Sequence, residues 1–204
     1  GARVHVAHIS SAGAVDIVRQ AKKRGVRVTT EVTPQHLTMT DSAVELFDSS
    51  TKINPPLREQ KDVDATLKGL LDGTIDMIVT DHSPHAPEEK DREYMYAPSG
   101  FPGLETAVGV LFTDLVATGK VDAARIIEKM TYGPAKVFQL DAGTLNVGAA
   151  ADVTVIDPEL LWTVDEKQFY TKGSHSPFIG RQLKGKPILT VVDGKVVMRD
   201  GTVL

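Results

Sequence analysis

Short apolar runs rich in β-branched residues alternate with amphipathic segments over the first part of the chain. Three of these runs have the composition of buried strands: residues 4–8, 26–32 and 75–79. Helical periodicity covers residues 12–24, which Gly25 ends, and residues 59–71. Because strands that alternate with helices are typical of βα units, the pattern predicts an α/β fold with parallel strands.

A long polar stretch, residues 82–103, follows the third predicted strand. In a compact domain, a stretch of this length is more often functional than a simple spacer. Its charged part, residues 86–98, is either a solvated surface or a lid that closes over substrate, and the residue pattern leaves both readings open. Further short helices are predicted at residues 42–47, 104–117, 122–130 and 134–138.

The residue pattern changes beyond Leu140. Gly, Asp-Pro and Asp-Gly turns there separate short runs typical of β-strands, at residues 152–156, 188–192 and 195–198. Asp193-Gly194 predicts a tight hairpin, since this dipeptide accepts the positive φ angles that such a turn needs. We therefore expect two domains, one with the βα pattern over residues 1–140 and a small β domain over residues 141–204. Three strands cannot close an eight-stranded parallel barrel, so the first domain is either an open sheet or the last portion of a barrel.

Composition and charge narrow the classes of partner. The chain is 41% apolar and 25% charged, an ordinary globular composition. A net charge of -4 and dispersed Lys and Arg residues argue against nucleic acid and anionic membrane partners, and favour a small molecule. With no cysteine, no apolar stretch long enough to span a bilayer and no signal-type amino terminus, we expect a cytoplasmic protein.

Candidate metal ligands stand at the ends of two predicted strands. Asp81 follows the run at residues 75–79, and His8 ends the run at residues 4–8. Active sites of α/β barrels lie beyond the carboxyl ends of such strands, and histidine with carboxylate suits catalytic zinc. A catalytic zinc needs three protein ligands, so we expect the others to come from upstream. The chain also enters a strand almost directly after Gly1, as a piece of a longer protein would.

Four segments resemble motifs of the amidohydrolases, and within them of the dihydroorotases of pyrimidine biosynthesis: His8-Ile9-Ser10-Ser11, Glu31-Val32-Thr33-Pro34-Gln35-His36-Leu37, Lys52-Ile53-Asn54-Pro55-Pro56-Leu57-Arg58 and Thr80-Asp81-His82-Ser83-Pro84-His85. Residues 98–106 resemble the segment after the family's active-site loop, and residues 148–153 resemble the start of its small β domain. The resemblance spans the entire chain.

The resemblance implies a fold and also marks what is missing. It implies the carboxyl-terminal part of a (β/α)8 TIM-type barrel, with its last three strands and their helices, plus a small β-rich domain. The family's first-strand His-x-His-x-Arg motif, its bridging Lys or Asp and its fifth-strand His do not occur in this chain. We therefore expect the chain to be a fragment that is inactive when isolated.

Metal-ligand roles carry over by position. The resemblance implies two zinc ions in the complete site, with His8 ligating one and Asp81 ligating the other. Asp81 would also be the catalytic proton shuttle, from the attacking oxygen to the departing ring nitrogen. The alternatives are a core histidine at His8 and a loop-capping aspartate at Asp81. The family match favours the ligand roles.

Substrate-binding roles follow from the same match: Asn54 to the dihydroorotate ring, His85 to the substrate carboxylate, and backbone groups of Ser99 and Gly100 to the amide edge of the ring. Many relatives have Phe at the position of Ser99. Because the implied substrate contact is through the backbone, this difference concerns side-chain packing more than substrate binding. Asn54 before proline is also simply a good turn former. Among the other histidines, we expect no ligand role for His36, structural or exposed positions for His5 and His175, and support of Asp81 by His82.

The implied activity is zinc-dependent interconversion of N-carbamoyl-L-aspartate and (S)-dihydroorotate. A hydantoinase or allantoinase type of cyclic amidohydrolase is the alternative enzyme, and Asn54 within Asn-Pro-Pro-Leu-Arg favours dihydroorotase. A second alternative is an inactive dihydroorotase-like partner of aspartate transcarbamoylase, against which the retained His8 and Asp81 argue. Expected partners are the small-molecule substrate and either a second copy or aspartate transcarbamoylase.

Overall fold

The computed structural model describes all residues from Gly1 to Leu204. Its strands are β1 (Val4–Val6), β2 (Val28–Val32), β3 (Met77–Ile78), β4 (Val153–Thr163), β5 (Gln182–Val192), β6 (Lys195–Arg199) and β7 (Thr202–Val203). Its α-helices are α1 (Ala12–Lys23), α2 (Pro34–Thr38), α3 (Gln60–Leu71), α4 (Pro87–Lys90), α5 (Ala107–Leu111), α6 (Ala123–Met130) and α7 (Tyr132–Phe138). Short 3-10 helices occupy Asp41–Val44, Ser49–Thr51 and Glu166–Gln168, and a π-helical segment covers Phe112–Val116.

The chain forms two compact units, each built from two segments. The first comprises Gly1–Ala107 and Val164–Arg181, and the second comprises Val108–Thr163 and Gln182–Leu204. These units do not coincide with the ranges 1–140 and 141–204 that the residue pattern predicts, because each unit contains two separate segments of the chain. As an assignment for the complete protein, that domain division stays a prediction.

A three-stranded parallel sheet forms the centre of the first unit. The strand order is β1-β2-β3, with Val6 opposite Thr30 and Val32 opposite Ile78. The α/β alternation and the parallel pairing expected from the apolar runs are thus present. The sequence predicts the third strand at residues 75–79, whereas β3 covers only Met77 and Ile78.

The helices of the first unit begin and end at residues with clear local signals. The hydroxyl of Ser11 accepts a hydrogen bond from the N–H of Ala14 and caps α1, and Gly25 follows the end of the helix with φ +76°. Gly69 lets α3 approach α1, since a Cβ there would lie 2.9 Å from Cγ1 of Val15. Helix α2 directly follows β2 and has no predicted counterpart.

The second unit contains a four-stranded antiparallel sheet in the order β4-β5-β6-β7. The predicted hairpin joins β5 to β6, with φ +49° at Asp193 and +76° at Gly194. Gly185 in β5 lies against the π-helical segment, because a Cβ there would come within 2.6 Å of Phe112 Cβ. Trp162 Nε1 donates to the carbonyl of the same glycine over 3.1 Å. No helix in the chain has the length and apolar character needed to cross a membrane.

Candidate active site

His8 and Asp81 stand just beyond the carboxyl ends of β1 and β3, in the same parallel sheet. Both have left-handed backbone, with φ +31° at His8 and +50° at Asp81. Non-glycine residues rarely adopt this conformation, and when they do the site is often functional. The two strand ends that the sequence singled out therefore also carry unusual backbone.

Glu31, in the strand between them, holds the first of these positions. Its Oε1 accepts a hydrogen bond from the backbone N–H of His8 over 3.3 Å. Its Oε2 lies 2.9 Å from Nε2 of His5, whose Nδ1 is 2.8 Å from the hydroxyl of Thr29. His5 is thus structural, as expected. The sequence pattern gives Glu31 no role of its own, although a carboxylate in the buried half of a strand indicates a specific partner.

The surroundings of the Asp81 carboxylate favour its uptake of a proton. Partial burial raises the pKa of the Asp81 carboxyl, the nearby imidazole of His8 opposes that shift, and the negative charge of Glu31 adds to it. A carboxylate with a raised pKa is a better general base than one at the ordinary value. Asp81, Glu31 and His8 therefore form one electrostatically coupled group.

The donors present fit a divalent metal such as zinc, but they are too few to hold it alone. The buried Nδ1 of His8 has no hydrogen-bond partner in the protein. Buried polar atoms rarely stay unpaired, so this nitrogen is suited to a ligand that the protein itself does not supply. No group of three or more His, Cys, Asp or Glu residues in the chain is arranged to hold a metal ion. These donors alone therefore do not make a complete metal site.

His36 links the end of β2 to the turn that carries Asn54. Its Nε2 donates to the carbonyl of Pro55 over 2.9 Å, and its Nδ1 accepts from the hydroxyl of Thr33 over 2.8 Å. Burial lowers the pKa of His36 to about 4, so the ring is neutral near pH 7. The ring is engaged on both nitrogens, consistent with the absence of a predicted ligand role. Asn54 itself is exposed.

His85, Ser99 and Gly100, the residues expected to bind substrate, lie close together. Nε2 of His85 donates to the carbonyl of Ser99 over 3.0 Å. Gly100 has φ +118°, and a Cβ on it would lie 2.5 Å from Cβ of Ser83 and 3.3 Å from Nε2 of His85. The N–H of Gly100 donates to the carbonyl of Lys52 over 2.8 Å. That bond joins the segment before Asn54 to the predicted amide-binding residues.

His82 has partners other than the expected Asp81. Its Nδ1 accepts hydrogen bonds from the N–H groups of Gly103 and Leu104, over 3.2 and 3.3 Å. Its Nε2 lies 3.4 Å from the hydroxyl of Thr171, which donates to Glu105 over 2.5 Å. His82 therefore anchors the chain that leaves the polar stretch, and its predicted support of Asp81 has no direct contact behind it.

Histidine and aspartate side chains at the carboxyl ends of parallel strands are typical of the active sites of α/β-barrel enzymes. The chain belongs to the amidohydrolase family, whose model matches residues 2–197. Within the family it is similar to the dihydroorotase of Pelotomaculum thermopropionicum, with 56% identity over 98% of this chain and 47% of that protein. It is also similar to the dihydroorotase of Syntrophus aciditrophicus, with 48% identity over the same shares. The chain thus spans about half the length of these curated relatives.

Solved structures with the same fold come from hydantoinases. The L-hydantoinase (dihydropyrimidinase) of Arthrobacter aurescens superposes with a TM-score of 0.94 at 34% identity, over 100% of this chain and 46% of that one. The D-hydantoinase of Thermus sp. gives a TM-score of 0.91 at 31% identity, with the same coverage. The fold is therefore that of the amidohydrolases, which belong to the TIM-barrel superfamily.

Proposed function

We propose that this chain supplies the carboxyl-terminal half of a dihydroorotase, and with it one side of the active site. The reaction is the interconversion of N-carbamoyl-L-aspartate and (S)-dihydroorotate. The chief support is the 56% identity to a dihydroorotase over nearly the whole chain. The last three strands of a (β/α)8 barrel correspond to β1, β2 and β3 in this proposal.

The metal-binding part of the proposal assigns His8 and Asp81 to two zinc ions. Zinc would polarise the ring carbonyl and lower the pKa of water, the chemistry that such sites supply. The unpaired Nδ1 of His8 supports its role as a ligand. The remaining ligands would come from the part of the protein that precedes this chain, since this chain lacks a complete metal-binding group.

Asp81 is the proposed catalytic base and acid. Its carboxylate takes a proton from the water as the water oxygen bonds to the carbonyl carbon of the ring amide, and it delivers that proton to the ring nitrogen as the C–N bond breaks. The raised pKa supports proton uptake in the first of these steps. The backbone of Asp81 is left-handed, so the residue does not continue the extended conformation of β3.

The substrate-binding part of the proposal gives each residue one contact. Asn54 is exposed at the turn held by His36 and is free to hydrogen-bond the ring. His85, already oriented by its bond to Ser99, would present its ring to the substrate carboxylate. Backbone groups of Ser99 and Gly100 would face the amide edge of the ring.

A hydantoinase is the second candidate, and the fold similarity favours it. The hydantoinase of A. aurescens superposes with a TM-score of 0.94, yet its identity of 34% is well below the 56% found with a dihydroorotase. Because ring specificity depends on individual polar contacts, sequence identity is the better guide to substrate than backbone similarity.

Turnover of three ring substrates by the zinc-loaded, full-length protein that carries this chain tests the proposal. Dihydroorotate, hydantoin and allantoin are compared by kcat/KM. We expect dihydroorotate to be preferred by at least about tenfold, since a polar site discriminates strongly against rings that leave its groups unpaired. Preference for hydantoin or allantoin would establish the alternative enzyme. A metal-loaded protein inactive on all three would contradict catalysis and favour the partner of aspartate transcarbamoylase.

A further inference from the structure

Lys90 is the one buried charged residue of the polar segment at residues 86–98. It ends α4 and is only 1% exposed, whereas its neighbours Glu89 and Asp91 are exposed. Its ammonium donates to the carbonyls of Pro98 and Gly100, over 3.0 and 2.9 Å. A buried charge is costly unless it is fully hydrogen-bonded, so such a lysine needs a specific reason.

Lys52 reaches the same segment from the other side. Its ammonium donates to three main-chain carbonyls, those of Tyr94, Met95 and Ala97, over 2.8, 3.0 and 2.7 Å. It also lies 5.5 Å from the centre of the Tyr94 ring. Its own carbonyl accepts the N–H of Gly100 over 2.8 Å. Lys52 therefore holds residues 94–100 through both its side chain and its backbone.

The two ammonium groups act on one stretch of main chain. Together they bind five carbonyls between Tyr94 and Gly100. Burial lowers the pKa of Lys90 to about 8, the positive charge of Lys52 adds to that effect, and the negative charge of Asp48 opposes it. Two cations held this close, with carbonyl partners instead of carboxylates, are costly to assemble. The result of these hydrogen bonds is that the main chain of residues 94–100 is held in one conformation.

We infer that Lys52 and Lys90 are positioning residues for the main-chain groups of Ser99 and Gly100, and that residues 94–100 form a fixed wall of the site. The inference rests on the proposed function, because it concerns how that site binds the amide edge of its substrate. Under this inference the main chain in the second half of the polar stretch is a built part of the site, while the side chains of Met95 and Tyr96 and the charged side chains before them face solvent.

Gly100 shows why small displacements of this wall matter. It is buried, and its α-carbon is packed so closely against Ser83 that no side chain fits. Its carbonyl accepts from the ammonium of Lys90, and its N–H donates to the main-chain carbonyl of Lys52. Lys90→Met would release the carbonyl of Gly100 directly, whereas Lys52→Met would keep the main-chain bond and release the carbonyls of Tyr94, Met95 and Ala97 that fix the path to Gly100. A displacement of about 1 Å in a binding group can cost up to 10²-fold in rate.

The test uses three variants of the zinc-loaded full-length protein: Lys52→Met, Lys90→Met and, as a control, Lys68→Met. Lys68 is an exposed lysine of α3 that contributes nothing to the wall. Two properties are measured: the kinetics of dihydroorotate turnover, as KM and kcat, and hydrogen exchange at the amides of Ala97 and Gly100. The exchange measurement needs no substrate, so it tests the wall even if the ring specificity proves to be different.

We expect Lys52→Met and Lys90→Met to raise KM by about tenfold or more, with a smaller change in kcat, as loss of uniform binding does. Both should speed exchange at Ala97 and Gly100, and Lys68→Met should change neither property. If Lys90→Met does not fold, Lys52→Met decides. Unchanged KM and unchanged exchange in Lys52→Met would overturn the inference. Failure of the wild type on dihydroorotate, with exchange still altered in the variant, would contradict the proposed substrate and leave the wall supported.

Discussion

His36 donates from Nε2 to the carbonyl of Pro55 over 2.9 Å, and so ties helix α2, which follows β2, to the turn that presents Asn54. A carbonyl oxygen can only accept, so the hydrogen must be on Nε2. Nδ1 then accepts from the hydroxyl of Thr33, which in turn accepts the backbone N–H of His36. The bonds require a neutral ring, and protonation would place an uncompensated charge in a buried site.

Acid should therefore destabilise the protein through His36. Its pKa is about 4 in the folded state and 6.5 in the unfolded state, so below pH 6.5 the unfolded state binds the proton first. Stability falls as pH drops from 6.5 towards 4, and the cost at pH 5 is about 2 kcal/mol. Denaturant unfolding at pH 7 and pH 5 measures it. His36→Gln should lose less stability over this interval, and parallel losses in the two proteins would contradict the assignment.

Asp81→Asn should abolish catalysis and preserve the fold. Asparagine tolerates the left-handed backbone that Asp81 adopts, so the exchange removes the proton-accepting carboxylate with little strain. We expect kcat to fall by roughly 10²–10⁴-fold, with the melting temperature nearly unchanged. Asp64→Asn, at an exposed position of α3, is the matched control and should keep full activity. Near-normal turnover by Asp81→Asn would remove this residue from the mechanism.

Gly100→Ala should destabilise the first unit and weaken substrate binding. Its φ of +118° disfavours any side chain, and the new Cβ would lie 2.5 Å from Cβ of Ser83. Strain and overpacking together should cost about 2–5 kcal/mol in unfolding free energy. The control is Gly13→Ala in α1, where a Cβ meets nothing within 4 Å and alanine should stabilise the helix by up to about 1 kcal/mol. Equal stabilities of the two variants would show that the close approach at Gly100 is not real.

Glu31→Gln should weaken metal binding without removing a ligand. The carboxylate accepts the N–H of His8 and pairs with His5, so it fixes the backbone from which the imidazole projects. Partners that orient a ligand are typically worth 10–100-fold in metal affinity, and we expect a loss of about that size. Zinc competition against a chelator, in the full-length protein, measures it. Glu45→Gln, at an exposed position, should retain wild-type affinity, as should Glu31→Gln if the contact is incidental.

Features set by local chemistry could be predicted closely. The periodicity of residues 12–24 predicted a helix found at Ala12–Lys23, and Asp193-Gly194 predicted the hairpin between β5 and β6. Both depend on contacts between near neighbours in sequence. Strand β4 shows the limit of this approach, because Asp157-Pro158 indicated a turn. The strand continues through these residues with an irregular register between Asp157 and Leu161, where β5 supplies the pairing from far along the chain.

The candidate site divides in the same way. His8 and Asp81 could be found because strand ends in parallel sheets concentrate functional side chains at one edge. Lys52 and Lys90 could not, because their partners are main-chain carbonyls, which every residue possesses and which leave no mark in the sequence. A lysine among charged neighbours in a polar stretch indicates a solvated side chain. Only the three-dimensional path of residues 94–100 reveals the burial of Lys90.

Strands β1 and β3 each pair on one side only, so the parallel sheet ends in two rows of backbone N–H and C=O groups. Val4, in β1, is 52% exposed. A further strand that pairs with either row, from the same polypeptide or from another, would stabilise the folded sheet. A melting temperature measured for residues 1–204 alone would therefore not describe the stability of these three strands when further strands pair with them.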